Sequence, residues 1–155
     1  MVEKSNKLTL LAQNRKAFAD YEILKKYETG IVLNGPEVKS ARAGQINLKG
    51  SFVEITPRLE AFVRNIHISP YKMSTQNKQD PIRKRKLLLH KKEILAMKAH
   101  LDTRGHTIVP LDFHLNKNHI KVTIGVCRGK KQYDRRNDLK KKAQNLEINR
   151  ALRRY

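Results

Sequence analysis

Ile108-Val109-Pro110-Leu111-Asp112-Phe113-His114-Leu115-Asn116, followed across Lys117-Asn118 by His119-Ile120-Lys121-Val122-Thr123-Ile124-Gly125-Val126-Cys127, alternates apolar and polar residues twice. Period-two alternation on both sides of a turn-prone dipeptide predicts a two-strand hairpin with one buried face. Pro110 cannot donate a ladder hydrogen bond, so its strand is expected at an edge or bulged at that point. Outward from this pair, Phe52-Val53-Glu54-Ile55 and Ala61-Phe62-Val63-Arg64-Asn65-Ile66 flank Thr56-Pro57-Arg58, which predicts a second hairpin within Ser51 to Ile68. Tyr21 to Tyr27 and Gly30 to Leu33 are further β-prone stretches. Helices are fewer. Asn34-Gly35-Pro36-Glu37 carries a helix start, with Gly44 as its stop. A longer helix is expected from about Leu88 to Arg104, where Ile94, Met97 and Leu101 recur at helical spacing and Gly105 follows. Met73 to Lys86, polar and basic around Asp80-Pro81, reads as a loop. The expected fold is mainly β: a small, partly open antiparallel β-barrel of oligonucleotide-binding type with flanking helices and a basic C-terminal tail. Residues 1–128 form the barrel domain and 129–155 the tail.

Composition narrows the partner. The 155 residues carry 34 Lys plus Arg against 14 Asp plus Glu, a net charge of +20. With 39% apolar residues the chain has enough to build a core, and its charge calls for a polyanion, nucleic acid first. The last 28 residues hold +8 of that charge, and the preceding 127 hold +12. In the tail, Leu139, Ala143 and Leu146 form a narrow stripe around Lys140-Lys141-Lys142, too charged to hold a helix alone. It is expected to order against an anion. No apolar run approaches the roughly 20 residues that span a bilayer, so no membrane role is expected. The first seven residues lack the apolar core of a secretion signal and Cys127 is the single cysteine, so a reducing cytoplasm is the expected location.

The chain carries few of the groups that catalysis needs. Among six histidines and Cys127 no pair has the spacing that places two ligands on one metal ion. No nucleophile elbow or phosphate-binding loop occurs, and carboxylates are scarce. The expectation is a non-enzyme without metal or cofactor. His67, between Ile66 and Ile68, is retained because an imidazole facing RNA can stack or bond a phosphate. Two basic segments suit RNA: Gln13-Asn14-Arg15-Lys16 followed by Tyr21, and Arg128-Gly129-Lys130-Lys131-Gln132-Tyr133-Asp134-Arg135-Arg136, where an aromatic ring stands among cations. Their plainer readings are a polar arm and a solvated charge run.

The order of segments carries a resemblance. Ala12-Gln13-Asn14-Arg15-Lys16-Ala17, Gly30-Ile31-Val32-Leu33 leading into Glu37-Val38-Lys39-Ser40, Asn65-Ile66-His67-Ile68-Ser69-Pro70-Tyr71, Arg85-Lys86-Leu87-Leu88-Leu89-His90-Lys91 and Gly129-Lys130-Lys131-Gln132-Tyr133-Asp134 occur in collinear order over about residues 7 to 155. Together they resemble small protein B, the SsrA-binding (tmRNA-binding) family of bacterial trans-translation. The resemblance implies an oligonucleotide-binding-type barrel that grips the tRNA-like domain of tmRNA and brings it to stalled ribosomes. It also implies help with charging by alanyl-tRNA synthetase and with delivery by elongation factor Tu. By position it places Asn14, Arg15, Tyr21, Glu28 and Leu88 on the tmRNA face, with Lys16 and His67 added from the reading above. It places Lys130, Lys131, Tyr133, Asp134, Arg135 and Arg136 in a tail that is disordered when free and helical in the decoding centre, against small-subunit rRNA. For Glu28 the plainer reading is a surface pair with Lys25 or Lys26. The alternative for the whole chain is a ribosomal or general structured-RNA-binding protein.

Overall fold

The computed structural model describes residues 8–71, 80–130 and 132–153, with side chains omitted for 132–135. In chain order its elements are β1 (Thr9–Gln13), α1 (Arg15–Asp20), β2 (Tyr21–Ile31), α2 (Gly35–Arg42), β3 (Ile46–Asn47), β4 (Phe52–Ile55), β5 (Ala61–Arg64), β6 (His67–Ile68), β7 (Arg85–Leu88), α3 (Lys91–Leu101), β8 (His106–Asn116), β9 (His119–Gly129) and α4 (Gln132–Leu152). Seven strands form one antiparallel sheet in the order β1-β8-β9-β2-β7-β5-β4, and β3 pairs with β6 separately. The sheet curls until β4 approaches β8, but its edges β1 and β4 do not pair, so the barrel is left unclosed.

The hairpin at 106–129 is the spine of the molecule, and it departs from one-sided burial. The β8–β9 register slips between Pro110 and Asp112, leaving Leu111 without a cross-strand partner. A bulge here suits a proline, which has no N–H to give the ladder. Its effect is to exchange faces: Ile108, Phe113, Val122, Ile124 and Val126 enter the main core, whereas Val109, Leu111 and Cys127 turn to the opposite side and bury against Ala17. Strict alternation through Val109, Leu111 and Phe113 therefore places two of the three on a face other than the one it suggests. Gly125 accommodates the bulge, because a Cβ there would stand 2.9 Å from Leu111 Cδ1. The second hairpin stands where the sequence predicts it, and Tyr21 to Ile31 is one continuous strand rather than two short stretches.

Two boundaries move. Leu88 ends strand β7, and the long helix starts three residues later at Lys91, burying Ile94 and Met97. Arg85 and Lys86, read from sequence as loop, belong to β7 because Arg85 is 1% exposed and tied on all sides. Its Nε donates to Glu37 Oε2 at 2.5 Å, and its Nη atoms donate to the carbonyls of Ile66 (2.8 Å) and Pro81 (3.0 Å). Glu37 also accepts from Arg83 Nε at 3.0 Å and from its own helix start, the Asn34 N–H, at 3.0 Å. Burial raises the Glu37 pKa, but the bonds from Arg83, Asn34 and Arg85 outweigh it and hold the carboxyl below its ordinary value. This network anchors α2 to β7. The first half of the expected loop, 73–79, lies outside the described residues.

Candidate nucleic-acid interface

Antiparallel partners share a face, so the register maps the sheet's outer surface. One row crosses five strands as Leu10, His114, Lys121, Gly30 and Leu88. The next row runs through Gln13, Asp112, Thr123 and Glu28. Leu88 lies over Gly30, where a Cβ would sit 3.3 Å from its Cδ1, and is 59% exposed. Glu28 and Leu88, far apart in sequence, thus come onto one surface.

At the other end of this surface α1 closes a small apolar cluster. Ala17 and Phe18 pack with Val109, Leu111, Cys127, Tyr21 and Ile23, and Lys26 Nζ stands 5.7 Å above the Phe18 ring. Asn14 holds the helix in place: its Oδ1 accepts from Ala17 N–H at 3.2 Å, and its Nδ2 donates to the carbonyls of Pro110 (3.0 Å) and Leu48 (3.4 Å). Asn14 is buried, and its amide is engaged in the fold. Arg15 and Lys16, the first residues of α1, are exposed, and Tyr21 is half-buried beside them. Asn14, Lys16, Tyr21, Gly50, Ser51 and Phe52 line an open hollow at this end.

The open end of the surface is polar. Glu28 Oε2 lies 3.1 Å from His114 Nε2, and Glu28 Oε1 accepts from Asn116 Nδ2 at 3.2 Å. His114 Nδ1 lies 2.8 Å from Asp112 Oδ1. Burial pushes the Glu28 carboxyl up, but the bonds from Asn116 and His114, with the charges of His114 and Lys121, bring it below its ordinary value. Glu28 therefore pairs across two strands, not with Lys25 or Lys26. Sequence reasoning missed His114, Asp112, Asn116 and Lys121. The signal that could have found them is their spacing at alternate positions on the two strands of the hairpin.

His67 falls elsewhere. It is exposed on β6, paired to Asn47 of β3, beside a shallow hollow with Gln45 and Ser69. In the second basic segment Arg128 is engaged by Glu22, with Nε donating at 2.7 Å. Lys130 is bound to Asp138 at 2.5 Å and donates to the Phe18 carbonyl at 3.4 Å, joining α4 to α1. Arg136 is exposed, and Tyr133, Asp134 and Arg135 lie in the first turn of α4. Lys131 lies outside the described residues. Among the described residues no group of three or more His, Cys, Asp or Glu stands close enough to hold a metal ion, and no helix is long and apolar enough to cross a membrane.

The family model described as SmpB protein matches residues 11–154. The chain belongs to the SmpB family. Among its relatives, the SsrA-binding protein of Bacillus subtilis is 49% identical over 144 residues, covering 93% of this chain and 92% of that protein. The SsrA-binding protein of Aquifex aeolicus is 47% identical over 151 residues, covering 97% and 96%. A chain from the solved structure "tmRNA-SmpB: a journey to the center of the bacterial ribosome" aligns with TM-score 0.66 and 44% identity, over 78% of this chain and 85% of that one. SmpB-family membership agrees with a mainly β, antiparallel sheet flanked by helices.

Proposed function

We propose that the protein binds the tRNA-like domain of tmRNA through the outer face of its sheet and brings it to stalled ribosomes for trans-translation. The observation that carries this is the sheet face that Tyr21, Glu28 and Leu88 share along its length, with Arg15, Lys16 and Lys26 exposed beside it. A carboxylate and an apolar side chain among cations are of little use to phosphate alone, but they suit unpaired bases on a folded RNA. The relatives' name, SsrA-binding protein, supports the same reading. On it the protein is a cytoplasmic RNA-binding partner rather than an enzyme. Alanyl-tRNA synthetase and elongation factor Tu are met through tmRNA, and small-subunit rRNA through the tail.

Residues 1–128 act as the RNA-binding unit and 129–155 as a tail that is unfolded in the free protein and helical on the ribosome. Lys130, Lys131, Tyr133, Asp134, Arg135 and Arg136 act there, with Tyr133 stacking on a base and the arginines bridging phosphates. Rapid amide exchange over 132–153 in free full-length protein, slowed on ribosomes, checks the folding step. Sequencing the RNA that co-purifies with the protein tests the whole reading. One small RNA, with visits to stalled ribosomes, is the expected result. Equimolar retention on all ribosomes at high salt makes it a ribosomal protein instead.

A further inference from the structure

We infer that His114, braced by Asp112, is a positioning residue that fixes the Glu28 carboxylate to accept a hydrogen bond from a nucleobase donor on the bound RNA. The inference rests on the proposed tmRNA reading and extends it to residues outside the family motifs quoted above. Its basis is geometric. The His114 side chain is 6% exposed and that of Glu28 44%, so the imidazole is a fixed part of the sheet and the carboxylate reaches solvent. Both ring nitrogens stand within hydrogen-bond distance of carboxylate oxygens on different strands, Nδ1 on Asp112 of β8 and Nε2 on Glu28 of β2, reaching across β9. An ionised carboxylate only accepts, so the contact that positions Glu28 is the one in which Nε2 carries a hydrogen and donates it. Asn116 holds the other Glu28 oxygen. Each of those oxygens retains a lone pair beyond the one its protein donor uses.

Such a carboxylate repels phosphate and is oriented before RNA arrives. A base N–H is the RNA donor that gains most from it, and the cost of ordering a three-torsion side chain has already been met. The charged groups around the imidazole are Glu28 on β2, Asp112 on its own strand and Lys121 on β9, directly opposite it in the register.

The test compares wild type, Glu28→Gln, His114→Leu, His114→Gln and the double variant His114→Leu/Glu28→Gln. The readouts are affinity for a transcript of the tRNA-like domain and the carbon-detected titration of the Glu28 carboxyl in the free protein. Glu28→Gln and His114→Leu should each weaken binding about tenfold, the scale of one hydrogen bond to a charged group, with the double variant no weaker than Glu28→Gln. His114→Gln keeps a donor toward Glu28 and should recover most of the loss. The Glu28 midpoint should rise in His114→Leu, a change that general loosening of the fold does not single out. Should His114→Leu melt early, His114→Gln and the Glu28 titration decide the matter. Wild-type affinity in His114→Leu, multiplicative losses in the double variant, or an unmoved Glu28 midpoint would overturn the positioning role and leave the tmRNA reading intact. Wild-type affinity in Glu28→Gln would remove Glu28 from the interface and the inference with it. Failure of the wild type to prefer this transcript over another folded RNA would take down both.

Discussion

The sheet body and α4 use similar residues to opposite ends. In the body, several charged and polar groups are engaged internally: Glu37 is shared by Arg83 and Arg85, Arg128 is held by Glu22, and even Asn14 has its amide filled by backbone. In α4, Leu139, Leu146, Ile148 and Leu152 are between 57% and 69% exposed, and the described ties to the body are Lys130 to Asp138 and a hollow that Phe18 shares with Leu139. A residue in the body is therefore read first for what it holds together, and a residue in α4 for what it has yet to meet. Unsatisfied apolar surface on a basic helix is capacity for a partner.

The largest effect expected from this contrast is functional. Ending the chain at Gly129 should abolish peptide transfer to alanyl-tmRNA on ribosomes with truncated messenger. Affinity for the tRNA-like domain should stay within a few-fold and the melting temperature should hold. Full transfer by the shortened protein would erase the distinction.

Next is the body's buried pair. Glu37→Gln leaves Arg85 buried without its counter-charge, and removing one partner of such a pair costs about 3–5 kcal/mol, read by urea unfolding. The same carboxyl sets an acid limit. Its folded pKa lies below the ordinary 4.5, so its contribution is complete above that value and is lost as pH falls below it. Wild type should lose stability steeply there, and Glu37→Gln should lack that component.

Asn14→Ala should cost about 2 kcal/mol, from a lost helix cap and two carbonyls left without their donor. It should weaken RNA binding in proportion to the disorder of α1, as amide exchange over 15–20 would show. An unchanged melt with reduced affinity would instead make Asn14 a direct contact. The smallest change is Arg128→Ala, whose pair with Glu22 is about half exposed on both sides, at 56% and 49%. It should cost no more than about 1 kcal/mol, and a larger loss would mean that the junction with α4 bears on the body's stability.

The 106–129 hairpin was legible because its polar and apolar residues alternate over both strands, and α2 because Pro36 and Gly44 punctuate it. The bulge was half legible: Pro110 signals an irregularity, but not that Val109 and Leu111 turn to a second cluster. Helix α1 left no trace, since six residues carry no period and its stability comes from the Asn14 cap and the packing of Ala17. Leu87-Leu88-Leu89 shows the limit of short apolar runs, which suit a strand and a helix equally until a neighbour such as Gly30 chooses. At the candidate interface, Glu28 and Leu88 came from the resemblance rather than from pattern, and Tyr21 from both. His114 was passed over because a histidine in an alternating strand looks like any other polar position.

Cys127 adds a practical consequence. Buried in the α1 cluster at 0% exposure, with burial pushing its thiol up to about 11, the chain's single cysteine is almost wholly protonated and out of reach at neutral pH. Maleimide chemistry should pass it by, so a cysteine introduced on the exposed side of α4 would accept a dye alone. Distances between that dye and a labelled RNA could then test whether the tail enters the ribosome, without a cysteine-free background.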